Sequence, residues 1–170
     1  KLLKPIVFVS HMEHHSNQIS WMETIADVEV VPCNEEGLIC MDQFEEMIRK
    51  YEDRKIKIAS ITAASNVTGI KTNYHAVAKL IHSYEGLCFV DFACSAPYVK
   101  IDMHPKDPQA YLDAIFFSPH KFLGGPGSSG ILVFNKKLYS NHIPDNPGGG
   151  TVTFTNPWGG RFYISDIEVR

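Results

Sequence analysis

Six short apolar runs, separated by stretches with helical spacing, constrain this chain more than any other feature of its sequence. The runs fall at residues 6–10, 28–31, 56–62, 87–92, 114–118 and 130–134 and are rich in β-branched and aromatic side chains. Most are apolar throughout instead of alternating, the pattern of strands covered on both faces. Between them, 13–26 carries Ile19, Met22 and Ile25, 41–51 carries Phe44, Met47 and Ile48, and 74–84 carries Val77, Ala78 and Ile81. Each set lies near the repeat of an amphipathic helix. Strands alternating with helices of this length predict an α/β fold, a mostly parallel sheet with helices on both faces and right-handed crossovers. The last strand, 130–134, is expected to be antiparallel.

A chain of 170 residues with 44% hydrophobic content is long enough for one compact domain with its own core. The net charge of −3 and the lack of a basic run argue against nucleic acid or an anionic membrane as partner. Cys33, Cys40, Cys88 and Cys94 show no CxxC spacing, which favours reduced thiols, a cytoplasmic location and no zinc site. No apolar run approaches the roughly 18 residues of a membrane span. The opening KLLKPIVFVS reads as a strand entered in mid-stride, with no initiating Met, so the chain is expected to be part of a longer protein. After Phe134 the texture becomes rich in Gly, Pro and Asn without clear periodicity, and a long functional loop or an unsupported tail is expected.

In parallel sheets ligands collect at the carboxyl ends of the strands. The polar and special residues concentrate in those places, at 10–15, 62–69, 91–95 and 118–127. The strongest element is AIFFSPHKFLGGPGSSGILVF, in which a strand delivers Ser118, Pro119, His120 and Lys121 to a glycine-rich turn. An amine placed there can become the nucleophile that forms a Schiff base with an aldehyde, and the glycines would let backbone approach a bulky cofactor. A surface lysine in a hairpin turn is the plainer alternative. In LCFVDF, Asp91 ends an apolar strand, where a buried carboxylate is costly unless a cation such as a pyridinium nitrogen meets it. It could equally be a helix cap or half of an ion pair. In MEHHSNQISW, His14 opens a helix and could lie flat on a cofactor ring. His11, His14 and His15 could instead form a metal cluster, but no matched carboxylate or cysteine spacing supports one. In TAASNVTG, an Asn66 amide could donate to a phenolic oxygen, and turn chemistry explains it nearly as well.

EHHSN, SNVTG, VDFA and SPHK followed by GGPGSSGIL occur in an order that resembles the class V aminotransferase and cysteine desulfurase branch of the fold-type I pyridoxal 5′-phosphate (PLP) enzymes. The resemblance covers essentially the whole chain and implies Lys121 as the Schiff-base lysine, Asp91 as partner of the ring nitrogen and His14 as the stacking histidine. It implies Asn66 near the phenolic oxygen and Ser118 and His120 at the phosphate. PGGGTVTF resembles a segment that crosses a dimer interface, which makes Thr151 a candidate phosphate ligand for a neighbouring subunit and implies a homodimer; an ordinary glycine-rich loop is the alternative. Cys94 stands where the desulfurases carry Gln or His, which puts the reaction type in doubt. The implied organisation is a partial large cofactor-binding domain over 1–143 and an interface loop over 144–170, leading to a C-terminal domain with the substrate arginine. The implied function is a PLP-dependent transferase or lyase acting on a small amino-acid substrate, the chain by itself being inactive. The competing expectation is a non-catalytic α/β module that binds a nucleotide or a protein.

Overall fold

A computed structural model describes residues 2–169 as two compact units, the first ending at Phe134 and the second beginning at Asn135. In the first unit, β1 (Ile6–Ser10), β2 (Asp27–Val31), β3 (Lys57–Thr62), β4 (Leu87–Asp91), β5 (Ala114–Phe117) and β6 (Ile131–Phe134) form one sheet in the order β2-β1-β3-β4-β5-β6. Every neighbouring pair is parallel except β5 and β6, which run antiparallel with Ala114 opposite Phe134 and Phe117 opposite Ile131. The chain moves outward from β1 to β2 and then reverses through β3, so the strand order switches direction at β1 and β3. A crevice at the carboxyl ends of these strands is therefore the expected ligand position.

The helices α1 (His15–Met22), α2 (Met41–Lys50) and α3 (Tyr74–Ser83) supply the cover. Phe44 and Ile48 of α2 and Val77, Ala78 and Ile81 of α3 pack with Ile6, Phe8, Ala59, Ile61 and Val90, all buried. On the other face Val7, Val9 and Ile58 meet Trp21 of α1 together with Ala26 and Val28. Alternate residues of β1 thus point into opposite layers, which is why it is apolar along its whole length. Local chemistry sets the helix ends. Asn73 accepts the Ala76 N–H to cap α3, while Asp42 in the first turn of α2 and Arg49 and Lys50 in its last complement the helix dipole. At the α3 exit a Cβ on Gly86 would lie 2.6 Å from Ile81 Cγ1 and 3.0 Å from the Lys57 carbonyl oxygen, so only glycine lets the chain pass so close to β3.

Three expectations are corrected. The first helix is shorter than 13–26, because the Thr24 hydroxyl donates to the Trp21 carbonyl and then accepts the Ala26 N–H, turning the chain toward β2. Its apolar residues do not face the core: Ile19 and Met22 are about half exposed, and the buried residue of α1 is Asn17. Strand β6 is not covered on both faces, since Ile131, Leu132, Val133 and Phe134 are all exposed. In the second unit the region expected to be loop or tail contains a hairpin, β7 (Val152–Thr155) and β8 (Arg161–Tyr163). Its turn is held by Asn156 Oδ1, which accepts the N–H groups of Trp158 and Gly160.

Candidate active site

The ends of β1, β3, β4 and β5 converge on a cavity of about 170 Å³. His14 and Ser16 enter it after β1, Thr62 and Asn66 after β3, Asp91 and Cys94 after β4, and Ser118 and Lys121 after β5. A larger and more open cavity of about 500 Å³ shares Ser16, Asp91 and Ser118 and continues over Trp21, Phe116 and Ile131.

Asp91 is only 6% exposed and takes one hydrogen bond, from the Ala93 N–H to Oδ1 at 2.7 Å. Burial pushes its carboxyl above the usual range, and the charges of Lys121 and His14 pull in the opposite direction. Asp91 therefore shares the cavity with the Lys121 amine and the His14 ring, and makes no ion pair with either. Cys94 donates its thiol to the Ala64 carbonyl at 3.1 Å. Burial and then the Asp91 charge push that thiol up, with Lys121 opposing, which keeps it protonated.

The amine is delivered by a tight fold of chain. Pro119–Lys121 forms one 3₁₀ turn, with the Lys121 N–H donating to the Ser118 carbonyl. Gly125 then passes so near that a Cβ would sit 2.0 Å from the Pro119 carbonyl oxygen. On the opposite wall, His14 caps α1: its Nδ1 accepts the Ser16 N–H at 3.3 Å and lies 2.7 Å from Ser16 Oγ. Its ring also lies 4.2 Å from that of His15.

Of the residues proposed from sequence, Lys121, Asp91, His14, Asn66, Ser118 and Cys94 share this cavity. His120 is exposed and lies outside its lining. Thr151 belongs to the second unit, where its hydroxyl donates to the Gly148 carbonyl at 2.7 Å. His11 meets the Gly37 carbonyl instead of another histidine, and among the described residues no group of three or more His, Cys, Asp or Glu is placed to hold a metal. No described helix is long and apolar enough to cross a membrane.

Sequence reasoning missed Glu13. Its carboxylate accepts the Ser10 N–H, the Ser10 hydroxyl, the Thr62 N–H and the Asn17 amide. The signal was present, for Ser10 and Glu13 have the S-x-x-E spacing of a capping box.

The donor set fits PLP: an amine for its aldehyde, a buried carboxylate short of a cationic partner for its ring nitrogen, an imidazole on one wall and hydroxyl and amide groups for its oxygens. Comparison with known proteins points the same way. Residues 4–163 match the family model "Aminotransferase class-V". A probable cysteine desulfurase of Halalkalibacterium halodurans is 32% identical over 152 residues, 87% of this chain and 35% of that protein. A cysteine desulfurase of Escherichia coli is 33% identical over 153 residues, 88% of this chain and 35% of its own length. Among solved structures, the cysteine desulfurase CsdA of E. coli superposes with a TM-score of 0.78 at 29% identity, covering 97% of this chain and 40% of that one. An apo cysteine desulfurase of Thermococcus onnurineus shares the fold at 21% identity, again with a TM-score of 0.78, covering 99% of this chain and 40% of its own. The chain thus spans about 35% of the length of the curated relatives it matches.

Proposed function

Because this chain belongs to the class-V aminotransferase family, we propose that it is the cofactor-holding part of a PLP enzyme acting on a small amino acid, with cysteine desulfuration as the reaction its relatives favour. The single observation that carries the reading is the placement of Lys121 and Asp91 in one cavity, the one offering an amine, the other a buried carboxylate with no ion-pair partner among the described residues.

When bound, PLP supplies an aldehyde and a ring that withdraws electrons from a substrate carbon. In this reading Lys121 Nζ would be the amine that meets the aldehyde, and would otherwise be placed to take or return a proton at the substrate carbon. Asp91 keeps a positive charge on the ring nitrogen favourable, because a cation there relieves its own burial. His14 would stack on the ring, Asn66 and Cys94 would serve the phenolic oxygen, and Ser118, with His120 from outside the cavity lining, would hold the phosphate. Cys94 is a weaker donor than an amide or imidazole, and its thiol is already given to the Ala64 carbonyl. Thr151, in the 144–170 segment, would serve a neighbouring subunit's phosphate in a homodimer, and the free thiols of Cys33, Cys40, Cys88 and Cys94 suit a reducing, cytoplasmic setting.

Adding PLP to the protein should give an imine absorption near the visible edge that disappears in Lys121→Ala. An unchanged spectrum in that variant would overturn the assignment and leave a non-catalytic α/β module. Sulfide release on addition of cysteine, measured on the full-length protein, separates desulfuration from transamination.

A further inference from the structure

The segment EHHSN holds more than a ring-stacking histidine. The Glu13 carboxylate is half-buried and accepts four hydrogen bonds. Oε1 takes the Thr62 N–H at 2.8 Å, the Ser10 N–H at 3.2 Å and the Ser10 hydroxyl, and Oε2 takes Asn17 Nδ2 at 2.8 Å. One side chain thus ties the ends of β1 and β3 to the first turn of α1. Asn17 completes the tie from inside the helix, donating to the Ser60 carbonyl at 3.2 Å and accepting the Ser60 hydroxyl at 2.8 Å. His14 sits between these two anchors. Burial pushes the Glu13 carboxyl up, and the donated bonds oppose that shift.

The ring of His14 is constrained separately. A backbone N–H can only donate, so the Ser16 N–H directed at Nδ1 at 3.3 Å favours an unprotonated acceptor at that nitrogen. The Ser16 hydroxyl, 2.7 Å away, can donate to the same lone pair. The proton of a neutral imidazole is then on Nε2, the nitrogen with no protein acceptor among the described residues.

We propose that Glu13 and Ser16 are positioning residues for His14, Glu13 fixing the start of α1 against β1 and β3 and Ser16 holding the imidazole as its Nε2–H tautomer, ready to donate to a ligand in the cavity. The role of that donor rests on the PLP reading, but the tautomer and its supports do not.

The test is a long-range ¹H–¹⁵N spectrum of the histidine-labelled chain without cofactor, with the His14 signals identified by their loss in His14→Gln. The expected result is the Nε2–H pattern for His14. In Ser16→Ala, an exposed position where folding is not at risk, the Nδ1–H tautomer should rise severalfold. In Glu13→Gln the His14 pattern should become averaged while the signals of His82 stay in place. An Nδ1–H pattern in the unsubstituted chain, or His14 signals unmoved by both substitutions, would overturn the proposal. Loss of the PLP absorption test with these spectra as expected would sink the enzymatic reading alone.

Discussion

His82 places Nε2 2.8 Å from Asp113 Oδ2 and Nδ1 2.7 Å from the Gln109 carbonyl oxygen, so each of its ring nitrogens meets an acceptor. Both must donate, which makes the ring an imidazolium. Burial by itself would depress that cation, but the Asp113 carboxylate and the Gln109 carbonyl together outweigh it, and the pKa of His82 is raised above its ordinary 6.5. Tyr111 stacks on the ring at 4.1 Å, and Asp113 Oδ2 also accepts the Cys88 N–H. A raised histidine pKa contributes stability that is complete below the unfolded value and is lost as pH rises through the folded one. Denaturant unfolding should therefore show stability falling as pH rises from the ordinary histidine value of 6.5 through the higher folded-state value. The decline should vanish in His82→Gln; an identical slope in that variant would refute the assignment.

Burial and a neighbouring carboxylate, acting in the same direction, rank the thiols. Cys33 is exposed, whereas Cys94 is pushed up by burial and by Asp91, and Cys88, fully buried, is pushed up by burial and by Asp113. Iodoacetamide at mild alkaline pH should label Cys33 at least about tenfold faster than Cys94, and Cys88 only on unfolding. Peptide mapping over time reads the order directly. Cys94 reacting first would mean that its thiol does not share a cavity with the Asp91 carboxylate.

Asp91 sets function against stability. Its carboxyl is raised by burial, so at neutral pH the ionised form opposes folding of the unloaded chain, by the same linkage that makes a raised acid favourable only at low pH. Asp91→Asn keeps an oxygen for the Ala93 N–H and removes the charge. The unloaded variant should gain about 1 kcal/mol in stability. PLP should bind it at least about tenfold more weakly, a difference of roughly 1.4 kcal/mol. A variant that is less stable and binds PLP unchanged would remove Asp91 from the site.

These relationships differ in how far the sequence disclosed them. The ends of β1 and β4 were readable because an apolar run followed by Ser10 or Asp91 is a local pattern, and the parallel order followed from the helices between strands. Lys121 was readable because a strand and a glycine turn bracket it. The burial of Asn17 was not, since its partners Ser60 and Glu13 lie on different elements and nothing in the spacing of Ile19, Met22 and Ile25 announces that the polar face of α1 is turned inward. Strand β6 misled for a related reason: ILVF records what the strand prefers to touch, and the first unit leaves that surface open. The β7–β8 hairpin escaped because strands of four and three residues carry too few alternations to define a period.

Gly125 offers the most direct test of how the amine is held. An alanine methyl there would lie 2.0 Å from the Pro119 carbonyl oxygen and 3.0 Å from the Phe122 carbonyl oxygen, and both contacts are to backbone, which cannot swing aside. The 3₁₀ turn Pro119–Lys121 must then shift as a unit, carrying Lys121 with it. Gly127 is the matched control. Its φ of +87° makes alanine strained, but no atom lies within 4 Å of the added methyl, so the strain stays local. Both Gly125→Ala and Gly127→Ala should cost about 1–2 kcal/mol in thermal or denaturant unfolding. Only Gly125→Ala should also weaken PLP uptake, by at least about tenfold in absorbance titrations, because a displacement near 1 Å at a reacting amine costs far more in function than in stability. Equal PLP titrations for the two variants would show that the turn, as distinct from the strand before it, does not set the position of Lys121.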